Sequence, residues 1–194
     1  MSRNKETLAP DYFEGLYASD IDPWKFATSA YERDKYAETL ASLPRPRYLR
    51  GLEIGCSIGV LTAQLAPRCD RLLAVDVSAT ALADARRRCQ SCSNVEFAQM
   101  FAPREWPEGE FDLILLSEVV YYLDAHDVAA LAARVSAALT FGGHVVLVHW
   151  TGETNYPLSG DEAAELFISC LGHFVETVGA HRFREYRLDV LARR

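Results

Sequence analysis

The sequence predicts an α/β fold: a Rossmann-like, doubly wound, mostly parallel sheet with helices on both faces, an N-terminal helical cap and a C-terminal hairpin. Three observations carry this. From Tyr48 onward, short apolar runs alternate with helical segments, the pattern of parallel strands joined by crossover helices. Runs such as Leu113-Ile114-Leu115-Leu116 and Val145-Val146-Leu147-Val148 show no polar alternation, so both faces of those strands are covered. The stretch from Leu52 to Leu61, with Gly55, Cys56, Ser57 and Gly59 at its centre, reads as a buried strand that ends in a small-residue turn and re-enters a helix.

Taken in order, Pro10 can open a helix whose Phe13, Leu16 and Tyr17 share a face, and Ser19-Asp20-Ile21-Asp22-Pro23 breaks it. Ser29-x-x-Glu32 reads as a capping box for a second helix, with Tyr36, Leu40 and Leu43 as its apolar stripe and Pro44 and Pro46 as its stop. Strands are expected near Tyr48 to Gly55, Arg71 to Val77, Val95 to Met100, Phe111 to Ser117 and Gly143 to His149. Ser78 can cap a helix running to about Cys89, and Asp124 another whose Val128, Leu131, Val135 and Leu139 face inward before Gly142-Gly143 ends it. Ser159-x-x-Glu162 opens a last helix with Ala163, Leu166, Phe167 and Cys170 on one stripe, and Phe174 to Val178 with Glu185 to Leu191 form a closing hairpin. The expected organisation is one domain over residues 1–194: a cap (1–47), a core (48–151), and a C-terminal helix with closing strands (152–194).

With 49% hydrophobic and 24% charged residues over 194 positions, the chain has the composition of a soluble globular domain with a sizeable core. A formal charge of −7 leaves no basic surface for a phosphate backbone, so nucleic acid is not an expected partner. No apolar run approaches the length that spans a bilayer, and Met1 to Thr7 carries no apolar signal core, so a cytoplasmic location is expected. The five cysteines are scattered and odd in number, which points to reduced thiols. Cys69, Cys89 and Cys92 offer three thiols but no evident fourth ligand, so no metal is expected, a structural zinc on these thiols being the alternative. Nothing in the sequence specifies an oligomeric state.

The turn after the first strand is the chemical centre. Its glycines are spaced Gly55-x-x-x-Gly59, unlike the G-x-G-x-x-G turn that holds a dinucleotide pyrophosphate, and Glu53 stands two residues ahead. A carboxylate there repels phosphate and attracts a cation. S-adenosylmethionine carries an ammonium and a sulfonium and no phosphate, so it suits this turn better than NAD does. The residues Glu53-x-Gly55-x-Ser57-x-Gly59, followed by Val75-Asp76-Val77, resemble motif I and the second-strand acid of class I S-adenosylmethionine-dependent methyltransferases, with Ser57 where many members have Gly. Asp22-Pro23-Trp24, the Tyr31-Glu32-Arg33 to Tyr36 helix and Ser117-Glu118-Val119-Val120-Tyr121-Tyr122-Leu123 narrow the likeness to the nodulation-S type. That resemblance implies methylation of an amine on a chitin-derived amino sugar.

Ligands of open parallel sheets bind beyond the carboxyl ends of the strands, where the strand order reverses. This rule gathers Glu53, Gly55, Cys56, Ser57, Gly59, Asp76, Val77, Met100, Phe101 and Ser117 as cofactor-binding candidates. Asp76 is expected to accept hydrogen bonds from ribose hydroxyls, its alternative being a helix cap. Methyltransferases often place an acid after the third strand for the adenine amino group; this chain has Met100, which leaves adenine to backbone atoms around Phe101 and apolar contact from Met100. Glu118 and His149 are the catalytic candidates, the first to attract an acceptor ammonium and the second, or water, to accept its proton; the alternatives are a Glu118 that binds a backbone N–H or pairs with a lid Arg, and a structural His149. Trp24, Tyr31, Tyr121 and Tyr122 are candidates to contact the acceptor, packing in the core being the alternative for each ring. Competing readings are methylation of a different small amine or a carboxylate, a NAD-dependent oxidoreductase, and a non-catalytic cofactor-binding module.

Overall fold

Each apolar run from Tyr48 onward forms a strand: β1 (Tyr48–Ile54), β2 (Cys69–Asp76), β3 (Val95–Gln99), β4 (Phe111–Ser117), β5 (Leu139–Trp150), β6 (Val175–Arg182) and β7 (Tyr186–Arg193). The structure, a computed structural model, describes residues 3–194; Met1 and Ser2 of the expected cap lie outside the described residues. The strands make one sheet in the order β3-β2-β1-β4-β5-β7-β6. Pairing is parallel from β3 through β5, and the closing hairpin adds β7 antiparallel to β5, with Trp150 opposite Tyr186.

Helices α1 (Pro10–Ser19), α2 (Ala30–Ala41), α3 (Val60–Leu65), α4 (Ala79–Arg88), α5 (Ala125–Ala138) and α6 (Gly160–Leu171) complete the fold. Successive residues of the unbroken apolar strands go to opposite layers. Ile114, Leu116, Val145 and Leu147 pack with Val128, Leu131 and Val135 of α5 and Phe167 of α6. Leu113, Leu115, Val146 and Val148 pack with Tyr36 of α2 and Leu61 and Leu65 of α3. All eight strand residues are fully buried, and removing one such side chain from water is worth about 1.5–3 kcal/mol.

The caps decide where helices begin. Ser78, Asp124 and Ser159 each accept a backbone N–H of the following turn, and Ser159 and Glu162 form a complete capping box. Ser29 is capped on one side only: its hydroxyl accepts from Glu32 N, while the Glu32 carboxylate turns inward to Lys35. The end of α5 also departs from expectation. The helix stops at Ala138 and β5 begins at once with Leu139 opposite Phe111, so Gly142 and Gly143 lie inside a strand. Burial of Leu139 beside Phe111 outweighs the helix-stop signal of the glycines. Among the described residues, no helix is long and apolar enough to cross a membrane.

Candidate active site

A cavity of about 410 Å³ lies beyond the carboxyl ends of β1 to β5, where the order reverses between β1 and β4. The sheet order sets its layout: Asp76, Val77, Met100 and Phe101 follow β2 and β3 on one side, and Ser117, Glu118 and Trp150 end β4 and β5 on the other. Phe13 and Tyr17 of α1, Trp24 and Phe26 of the intervening loop, and Tyr31, Glu32, Lys35 and Tyr36 of α2 complete the wall.

The turn after β1 is held by backbone geometry. Gly55, Ser57 and Gly59 all have positive φ, at +79°, +50° and +77°. A Cβ on Gly55 would stand 2.3 Å from Val119 Cγ2, so this glycine is required by the β4 loop packed against it, and a side chain there meets protein before it meets a ligand. Gly59 does not line the cavity; a Cβ there would lie 2.9 Å from Ala85 Cα, so it serves the close approach of α3 and α4. Ser57 is braced from both sides: its N–H donates to Asp76 Oδ2 at 2.8 Å, and the Tyr17 hydroxyl donates to its Oγ. From the same helix, Glu14 accepts from Ser78 Oγ at 2.7 Å and from the Thr80 hydroxyl, which fixes α1 over the start of α4.

Two acids stand on the floor. Asp76 gives one lone pair from each oxygen to a backbone N–H, Ser57 at 2.8 Å and Ser78 at 2.9 Å, so it ties the β1 turn to Ser78, the residue that caps α4. Burial raises its pKa, with those N–H groups opposing. Glu53 is 2% exposed, its Oε2 has no partner, and burial pushes its carboxyl up to about 8. Beyond β3, the Phe101 N–H donates to Glu105 Oε2 at 2.7 Å, so that donor is occupied and the expected backbone contact to adenine does not rest on it.

Across the switch point, Lys35 Nζ lies 2.6 Å from Glu118 Oε1 and 3.1 Å from Glu32 Oε1. Glu118 Oε2 accepts from the Tyr121 hydroxyl at 2.7 Å and from Trp150 N at 2.8 Å. Burial pushes the Glu118 pKa up, but Lys35 and then His149 outweigh it, and the net direction is down. For Lys35, burial works to lower the pKa and the two carboxylates raise it above its ordinary value. Nothing but spacing marks Lys35 in the sequence: Glu32, Lys35 and Thr39 share a helix face with Tyr36, and all four are buried. Aromatic rings line the remaining wall. Tyr121 and Tyr156 stack at 5.2 Å, Tyr122 meets both edge-on at 4.6 Å, and Tyr31 packs edge-on against Trp150.

Of the candidates read from the sequence, fourteen line this one cavity: Trp24, Tyr31, Glu53, Gly55, Cys56, Ser57, Asp76, Val77, Met100, Phe101, Ser117, Glu118, Tyr121 and Tyr122. Gly59 and His149 do not. His149 is fully buried behind the wall, its Nε2 accepts the Val120 N–H at 3.2 Å, and burial brings its pKa down to about 4. A nitrogen already holding a backbone N–H inside the core is not placed to take an acceptor's proton, which corrects the role expected for it. Cys69, Cys89 and Cys92 form no cluster of three metal-ligating groups among the described residues.

The sheet order, the glycine turn and the acid ending β2 define the Rossmann-like fold of class I S-adenosylmethionine-dependent methyltransferases. A family model described as Nodulation protein S (NodS) matches residues 13–142, and the chain belongs to that family. Nodulation protein S of Sinorhizobium fredii NGR234 is 35% identical over 129 residues, covering 64% of this chain and 59% of that protein. The Bradyrhizobium diazoefficiens protein is 37% identical over 115 residues, covering 59% and 54%. The chain thus spans little more than half the length of these curated relatives. The crystal structure of the N-methyltransferase NodS from Bradyrhizobium japonicum WM9 in complex with S-adenosyl-L-homocysteine superposes with a TM-score of 0.82 at 28% identity, covering 94% of this chain and 97% of that one.

Proposed function

We propose that this chain is an S-adenosylmethionine-dependent methyltransferase that methylates the amine of a small polar acceptor, with an amino sugar or chitin-derived oligosaccharide as that acceptor. The observation that carries the reading is Glu53: a buried carboxylate with an unpartnered oxygen on the floor of a cavity at the strand-order reversal. Such an oxygen is satisfied by the ammonium of the cofactor's amino-acid end, whereas a dinucleotide would bring phosphate charge against it. The Gly55 turn admits that end closely. Asp76 retains lone pairs on both oxygens for ribose hydroxyls, and Val77 and Met100 offer apolar contact to the adenine. Cys56, Ser57, Phe101 and Ser117 line the same groove.

When bound, S-adenosylmethionine would supply an activated methyl group on a sulfonium, with its sulfur as the leaving group for attack by an amine lone pair. The chain's own work is then to orient the amine, exclude water and leave the nitrogen unprotonated. Trp24, Tyr31, Tyr121 and Tyr122 give flat faces for a sugar ring and for the cationic product. Both Glu118 oxygens are engaged, by Lys35, Tyr121 and the Trp150 backbone, so its part is to set the acceptor wall and not to attract the acceptor's ammonium, the role the sequence suggested for it. On this reading the reaction belongs to the cytoplasm, as the sequence leads one to expect. The test is transfer of isotopically labelled methyl from S-adenosylmethionine to a mono-deacetylated chitin tetramer, alongside simple amines and carboxylic acids. Label on nitrogen of the amino sugar is expected; label only on carboxylate oxygen would contradict the reading.

A further inference from the structure

Seven buried side-chain polar atoms lack a hydrogen-bond partner among the described residues, and four belong to residues that line the cavity: Tyr31 Oη, Glu32 Oε2, Glu53 Oε2 and Thr154 Oγ1. Glu53 stands at the cofactor floor. The other three lie on α2 and on the loop after β5, at the acceptor side. Glu32 is the charged one, and it is 7% exposed. Its Oε1 accepts from Lys35 Nζ at 3.1 Å; its Oε2 is ion-paired with the same nitrogen at 2.9 Å but accepts no hydrogen bond. Glu118, by contrast, is occupied on both oxygens, by Lys35, Tyr121 and Trp150.

Glu32, Lys35 and Glu118 sum to one net negative charge when all are ionised, and Lys35 stays paired with Glu118 if Glu32 becomes neutral. We infer that Glu32, resting on the amine-methylation reading, is the group that receives the acceptor's ammonium and takes its proton. The N–H bond breaks with its electron pair left on nitrogen, and an O–H bond forms on Glu32 Oε2. That pair then forms the N–C bond as the methyl's bond to sulfur breaks, its electrons remaining on sulfur. The product leaves as a methylated ammonium and Glu32 returns its proton to water. The titratable groups facing Glu32 are Lys35 and Tyr36 on its own helix and Glu118 from the β4 loop, with Tyr31 beside them. Burial raises the Glu32 pKa against the pull of Lys35, which suits a carboxylate that must accept a proton and release it.

The test is the pH dependence of labelled methyl transfer to the mono-deacetylated chitin tetramer in the wild type, Glu32→Gln and Glu32→Asp, with S-adenosylhomocysteine affinity measured calorimetrically in each. Glu32→Gln should retain cofactor affinity and lose about 100-fold in turnover at pH 7, the typical scale of general-base assistance. That deficit should close as pH rises toward the range where the amine is free. A loss equal at every pH, or none, would overturn the proposal while leaving amine methylation intact. Absence of any N-methyl product from the wild type would overturn the functional reading itself, and this proposal with it. Should Glu32→Gln lose cofactor affinity through misfolding, Glu32→Asp decides: a turnover deficit at pH 7 that closes as pH rises supports the role, and a deficit equal at every pH, or none, overturns it.

Discussion

Lys35 and Glu118, 83 positions apart, form an ion pair of 2.6 Å buried in the cavity wall, with side chains 2% and 11% exposed. The pair joins the cap to the β4 loop, so this cavity wall is built across two parts of the chain that the sequence keeps apart. Buried pairs of this kind are costly to break, because the surviving partner is left charged in a medium that solvates it poorly.

Lys35→Met should therefore destabilise the fold by about 3–5 kcal/mol, and adding Glu118→Gln should recover part of that loss. Urea denaturation of the two variants checks both. The pH window follows from the directions of the shifts. Glu118 is lowered from 4.5, so its contribution is present above 4.5 and lost as pH falls through its folded value. Lys35 is raised from 10.5, so its contribution is present below 10.5 and lost as pH rises through its folded value.

Gly55→Ala should destabilise by about 1–2 kcal/mol from the positive φ alone, with a further cost from the contact with Val119. Val119→Ala in the same chain should relieve the contact and leave the backbone cost. A Gly55→Ala protein that unfolds at the wild-type urea midpoint would show that the turn is not constrained as described.

Glu53 gives a proton-linked prediction. Its folded pKa of about 8 lies above the ordinary 4.5, so between these values the folded state binds more protons and stability falls as pH rises. Binding an ammonium beside Glu53 favours the ionised form, so S-adenosylhomocysteine should release up to one proton near pH 7. Calorimetry in buffers of different ionisation enthalpy measures this release, and Glu53→Gln should abolish it.

The sheet and the cradle were legible because they depend on local pattern. Leu113-Ile114-Leu115-Leu116 could only be a strand covered on both faces, and Ser159 with Glu162 could be read as a cap without knowing the fold. The cavity wall formed by α2 was not legible in the same way. Lys35 and Glu32 look like the solvated face of a polar helix, and only the docking of α2 over the switch point turns them inward. His149 shows the converse: a histidine ending a strand invites a catalytic reading, but the short helical turn at Val120–Tyr122 closes over it and supplies its hydrogen bond.

His149→Phe should leave the Val120 N–H without an acceptor and cost about 1–3 kcal/mol. Because the folded pKa of about 4 lies below the ordinary 6.5, the wild type should lose stability as pH falls from 6.5 to about 4. The slope from one group is at most about 1.4 kcal/mol per pH unit, and the variant should lack that component in denaturation curves taken across this range.

The central claim is that the cavity over Glu53, Gly55 and Asp76 takes a cationic, phosphate-free adenosine cofactor. Calorimetric titration of the wild type and Asp76→Ala with S-adenosylhomocysteine and with NADH tests it most directly. S-adenosylhomocysteine should bind the wild type, Asp76→Ala should weaken it by about 1.5–3 kcal/mol through lost hydrogen bonds to a charged group, and NADH should not bind. Tight binding of NADH with none of S-adenosylhomocysteine would contradict the account.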